Sequence, residues 1–143
     1  MEQFYYEDIT VVENADADCH SLLKASALLR YVEQVTAVHA RKFGMDDQFF
    51  EDHGVAFLVG KQALRFNRVP LRGETLTLCS RSEKILRGSI KRITTLTDEA
   101  GQEVAMVDSR WIMSSLEDGH ILRQPDWTKE GYWNETVEEE LPL

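Results

Sequence analysis

Asp18–Gly44, DCHSLLKASALLRYVEQVTAVHARKFG, runs an acidic loop straight into one long amphipathic helix that stops at a glycine. Ala25, Leu28, Leu29, Val32, Val35, Thr36 and His39 recur at spacings of three and four, which places them on one helix face. Arg30, Glu33, Arg41 and Lys42 fall mainly elsewhere. Ser21 is the expected N-cap, the helix is expected to begin near Leu22 or Leu23, and Gly44 is expected to end it as a C′ residue. About twenty residues make a rod about 30 Å long. No other segment reads as a comparable helix, so this one must find its burial against strands.

Those strands are legible on both sides. Phe4–Val12 (FYYEDITVV) has the aromatic and β-branched content of a first strand. Met45–Gly54 is an acidic connector whose Phe49 and Phe50 anchor it to the core. Val55–Phe66 is a long strand, Val69–Gly73 a turn, and Leu76 and Leu78 alternate with Thr75 and Thr77 in a further strand. Ser89–Thr97 is ambiguous: Ile90, Ile93 and Leu96 are three apart, as in a helix, but the Thr content and the turn at Asp98–Gln102 favour a hairpin partner for Glu103–Ser114. One helix against an antiparallel sheet of five or six strands is an α+β arrangement. The expected division is residues 1–126 as the domain and 127–143 as an acidic tail containing Trp127, Tyr132 and Trp133.

Length and composition agree with one soluble globular domain: 143 residues, 43% apolar and 29% charged. No apolar run approaches the length of a membrane span, and the acidic amino terminus does not resemble a targeting peptide, so the cytoplasm is the default location. Cys19 and Cys79 read as free thiols, and no Cys/His spacing matches a metal site. The net charge of −9 hides an asymmetry, because residues 61–92 carry +7 and the remainder −16. A basic window of this kind either steers an anionic partner, such as a phosphopantetheine arm or a coenzyme A phosphate, or pairs with acids elsewhere in the chain. Nucleic acid fits poorly, because few aromatics interleave the basic residues.

The chain resembles the acyl-acyl-carrier-protein thioesterases of the hotdog thioesterase superfamily. Three ordered landmarks carry the resemblance: Leu23–His39 (LKASALLRYVEQVTAVH), Phe57–Pro70 (FLVGKQALRFNRVP), and Ser109-Arg110-Trp111 followed by Arg123 and Pro125. It implies a single hotdog domain, a long central helix wrapped by a five- or six-stranded antiparallel sheet. It also implies pairing with a copy of itself, as a homodimer or a dimer of dimers, with sites at the junction of subunits.

Thioester hydrolysis needs a polarised carbonyl and an activated water or attacking carboxylate. Backbone N–H groups around the helix start, at Leu22, Leu23, Lys24 and Ala25, could hold the developing oxyanion. The resemblance places Asp18 as catalytic base or nucleophile, although Asp is also common as a cap before helices. Family sites commonly read Asp, Asn two residues on and His two beyond, where this chain has Asp18, His20 and Leu22; His20 would then replace the asparagine. Phe57 and Leu58, with Leu29 and Val32, would line the acyl tunnel, and Arg87 and Arg92 would meet the phosphates of acyl carrier protein or coenzyme A. No cofactor or metal is implied. Cys19 as nucleophile, His39 as catalyst and Glu33 as the helix carboxylate are weaker candidates; an interior histidine and an Arg30–Glu33 surface pair are the plainer readings. The expected function is fatty acyl thioester hydrolysis, with a non-catalytic acyl-thioester-binding module or a hotdog dehydratase or hydratase as alternatives.

Overall fold

A computed structural model describes residues 5–83, 88–122 and 137–143. In chain order these form β1 (Tyr5–Val11), a short 3-10 turn (Asn14–Asp16), α1 (Ala25–Lys42), α2 (Asp47–His53), β2 (Val55–Phe66), β3 (Thr75–Ser82), β4 (Ser89–Thr97), β5 (Glu103–Ser115) and β6 (Ile121–Leu122). The sheet is antiparallel in the order β1-β3-β4-β5-β2, with β6 pairing β5 beside its end.

The helix starts later than the sequence suggests. Residues 22–24 are drawn into backbone pairing instead: Leu23 N donates to Pro70 O, Lys24 N to Asp16 O, and Leu22 bridges Leu71. Ser21 is therefore not the N-cap. It occupies a left-handed turn at φ 64°, and Lys24 takes the cap position without a side-chain hydrogen bond to the helix amides. The other end follows expectation. Gly44 at φ 85° lets its N–H reach Arg41 O while Met45 N reaches Ala40 O, the double bond that closes a helix with glycine at C′. The acidic connector contains α2, capped by Asp46, whose carboxylate accepts from Phe49 N at 2.9 Å. Phe49 and Phe50 do anchor it, packing with Met45, Ile90 and Met113.

The buried face of α1 is Ala27, Leu28, Tyr31, Val32, Val35, Thr36 and His39; Ala25 is exposed, and Tyr31 replaces it in the core. This face meets Leu76 and Leu78 of β3, Leu96 of β4, and Ala105 and Val107 of β5. Each fully buried leucine contributes about 1.5–3 kcal/mol. The three-residue spacing of Ile90, Ile93 and Leu96 is explained by burial on both faces of β4. Ile90 and Leu96 lie on the helix side. Ile93 lies on the outer side with Met106, covered by Val137 and Leu141 of the C-terminal segment.

That segment is held by polar contacts as well. Lys91 Nζ donates to Val137 O, Leu141 N to the Asp108 carboxylate, and Arg81 pairs with Glu139 at 2.8 Å.

Candidate active site

Residues 13–24 form a tight loop whose buried anchor is Asp16. Its carboxylate accepts from the Tyr31 hydroxyl at 2.5 Å and pairs with the Arg30 guanidinium, so Arg30 is committed to Asp16 rather than to Glu33. These two donors hold the Asp16 carboxyl below its ordinary value, and burial beside Asp16 pushes the Tyr31 phenol up to about 12.

Asp18 stands two residues on, at the surface of the single chain. One carboxylate oxygen accepts from His20 N at 2.8 Å and Leu22 N at 3.1 Å, while Asp18 N donates to Leu22 O at 2.8 Å. The amides of Leu22 and His20 hold its carboxyl below the usual range, so it is ionised at neutral pH. Its second oxygen has no hydrogen-bond partner among the described residues. The His20 side chain is exposed, and only its backbone amide engages Asp18.

The amides expected to face an oxyanion divide into two groups. Those of Leu22, Leu23 and Lys24 are spent on Asp18, Pro70 and Asp16, and Leu23 itself is core, 3% exposed. Lys24 Nζ donates to Ala15 O. The first internal helix bond is Leu28 N to Lys24 O, which leaves the N–H groups of Ala25, Ser26 and Ala27 at the positive end of the helix. Ala25 and Ser26 are exposed there. Of the expected donors only Ala25 remains, and the open set, Ala25–Ala27, starts three residues further along the chain than expected.

The four residues assigned to the acyl tunnel do share a wall. Leu29, Val32, Phe57 and Leu58 line a groove of about 240 Å³ with Val59 and Trp111, between α1 and β2. Phe57, Trp111 and Glu33 also border a larger cavity of about 480 Å³ toward the other end of α1.

The basic window is not one surface patch. Arg68 pairs with Glu74 and Asp98, Arg65 with Glu103, Arg81 with Glu139, and Lys91 lies 3.9 Å from Glu83. Arg92 points inward instead, 4% exposed, where its Nη1 donates to His39 Nδ1 and Ser80 Oγ, both at 2.7 Å. Arginine has no acceptor, so His39 Nδ1 accepts and the ring is the neutral Nε2–H tautomer. His39 is thus an interior histidine with partners. Arg87, Arg123 and Pro125 lie outside the described residues.

Cys19 is exposed and Cys79 half-buried, both free thiols, and burial pushes the Cys79 thiol up. Among the described residues no group of three His, Cys, Asp or Glu side chains could hold a metal ion, and no helix is long and apolar enough to cross a membrane.

One long helix laid across an antiparallel sheet in this strand order is the hotdog fold. Residues 4–132 match the family model described as the acyl-ACP thioesterase N-terminal domain, and the chain belongs to that family. Among solved structures it is similar to an acyl-ACP thioesterase of Bacteroides thetaiotaomicron (TM-score 0.85, 17% identity, 99% of this chain and 58% of that one). The 12:0-ACP thioesterase of Umbellularia californica is also similar (TM-score 0.83, 12% identity, 98% and 60%). So is the DHNA-CoA thioesterase of Staphylococcus aureus (TM-score 0.77, 16% identity, 87% of each chain). The chain therefore spans little more than half the length of the two acyl-ACP thioesterases. No curated protein matches in sequence.

Proposed function

We propose that this protein hydrolyses acyl thioesters carried by acyl carrier protein or coenzyme A. Asp18 supplies the carboxylate that activates water or attacks the carbonyl, and the N–H groups of Ala25 and Ser26 stabilise the oxyanion. The observation that carries this reading is one turn of chain. It fixes an ionised carboxylate by two backbone amides, with one oxygen left open, a few residues before exposed helix-start amides. The acyl chain lies along the groove of Leu29, Val32, Phe57 and Leu58.

Asp18 is exposed in the single chain, so a water-excluding site there needs a cover. A second copy supplies it: β2 is an edge strand, and its Leu58 and Val59 are 50% and 44% exposed. A homodimer pairing these edges is the assembly we infer, with dimers of dimers as a further step.

Purified protein is expected to release free thiol from acyl-CoA and acyl carrier protein thioesters, and Asp18→Asn to lower kcat about 100-fold or more with the fold intact by circular dichroism. Full turnover in Asp18→Asn removes this residue from the chemistry. The second reading, a non-catalytic acyl-thioester-binding module, is favoured by Leu22, an apolar side chain where the family motif has histidine. Binding of an acyl thioester without turnover by the unaltered protein would establish it. Conversion of an enoyl thioester without thiol release would instead mark a hydratase.

A further inference from the structure

The helix-facing side of β3, β4 and β5 carries a polar layer in the middle of an apolar interior. Register aligns Ser82 with Arg92 and Arg92 with Ser109, and one step along aligns Ser80 with Thr94. Among the described residues, four buried polar side-chain atoms have no hydrogen-bond partner: Ser82 Oγ, Arg92 Nε, Thr94 Oγ1 and Trp111 Nε1. All four sit on this one face. Buried polar atoms are almost always satisfied, so a cluster of orphans marks a place where something else supplies the partners.

Arg92 is the extreme case. Its guanidinium is buried, and no described carboxylate lies within ion-pair distance of it. The acids closest to it along the strands, Glu83 and Asp108, belong to the opposite face of the sheet, where they meet Lys91 and Arg110. Burial alone pulls its pKa down to about 10. An isolated buried cation costs several kcal/mol unless an anion meets it. Arg92 and Trp111 both line the cavity of about 480 Å³, whose walls are largely apolar: Ala40, Met45, Val55, Phe57. They are diagonal neighbours on adjacent strands, roughly 7–8 Å apart. Both idle atoms are N–H donors, so the missing partner is an acceptor.

We propose that this cavity binds an apolar ligand through a carboxylate that accepts from Arg92 Nε and Trp111 Nε1. Such a carboxylate has two sources: a free long-chain carboxylic acid, or the far end of an acyl group whose other end is the thioester. The choice between them rests on the thioesterase reading; the binding itself does not. Glu33, Asp46, Asp47 and Glu51, with Arg41, border the opening. They make the rim acidic, so the carboxylate gains only by passing them to the buried cation.

The test is calorimetry with decanoate and decanol on the purified protein. Decanoate is expected to bind at least tenfold more tightly than decanol. Arg92→Met is expected to erase that preference, and Ala40→Phe, which fills the cavity and leaves Arg92 in place, to abolish binding of both. Should Arg92→Met fail to fold, Trp111→Phe removes one donor and is expected to reduce the preference severalfold. Equal binding of acid and alcohol, no binding of either, or a preference that survives both substitutions overturns the proposal. The sources separate by turnover. Faster hydrolysis of the coenzyme A half-thioester of decanedioic acid than of decanoyl-CoA, lost in Arg92→Met, marks the acyl terminus, whereas inhibition by decanoate without that selectivity marks the free acid. A protein that binds decanoate but hydrolyses no thioester refutes the thioesterase reading and leaves the carboxylate site standing.

Discussion

Two aspartates two positions apart play different parts. Asp16 is buried and locked to Tyr31 and Arg30; Asp18 is exposed and ties a turn. Sequence spacing alone does not separate them, because each precedes the helix within reach of its first turn. What distinguishes Asp16 is Tyr31, fifteen residues on, which pattern reading left off the buried stripe. Replacing Asp16 with Asn keeps the shape but weakens two donors' bonds, and is expected to cost about 1–3 kcal/mol in urea unfolding. The sign with pH is fixed. A carboxyl held below its ordinary value of 3.8 stabilises the fold fully above that value and loses the contribution as pH falls through the lower folded-state value. The acid limb of the stability profile is therefore expected to be shallower in Asp16→Asn. An identical acid limb in the two proteins would show that Asp16 does not carry it.

At the scale of elements, the strands were legible where alternation is clean and where turn residues punctuate it. Val55–Phe66 and Ser89–Thr97 fall where the sequence places them. The helix body was legible too, whereas its start was not. Cap preference points to Ser21, but long-range pairing of residues 22–24 with Pro70, Leu71 and Asp16 overrides it, and no local signal announces a partner fifty residues away. That shift moves the open amides from Leu22–Lys24 to Ala25–Ala27. Arg92 was misplaced for a related reason: charge suggests surface, and only β4's alternation with buried Ile90, Thr94 and Leu96 assigns it inward. The helix end makes its own prediction. A Cβ at Gly44 would meet nothing within 4 Å, so Gly44→Ala is penalised only through its φ of 85°. A loss of about 1–2 kcal/mol in thermal unfolding is expected; no loss would mean that the turn has an alternative conformation of equal energy.

At the scale of the whole molecule, charge is arranged across the sheet rather than along the sequence. The basic residues of β3, β4 and β5 that face away from the helix meet the acidic C-terminal segment, with Glu139 on Arg81 and Glu140 3.6 Å from Arg110. Within residues 61–92, Arg65, Arg68 and Arg81 are paired with Glu103, Asp98 and Glu139 from outside that window, which leaves less of its charge free to steer an anionic partner than the sequence suggests. The helix side carries the groove, and β2 carries the open edge. Leu58→Asp would put a like charge on both sides of the twofold pairing proposed there and is expected to yield monomers in analytical ultracentrifugation, with turnover falling alongside. Unchanged mass would place the subunit contact elsewhere.

The β2 edge is itself interrupted: the register with β5 slips between Val59 and Lys61, where Gly60 is the extra residue and a Cβ would stand 3.3 Å from Ile112. A bulge bends a strand and adds twist. A straight ribbon of twelve residues would invite neighbour after neighbour to add on, whereas a crimped one is matched by a mate bearing the same crimp in opposite sense. In the proposed homodimer, self-recognition would then terminate at a pair instead of propagating into a fibre.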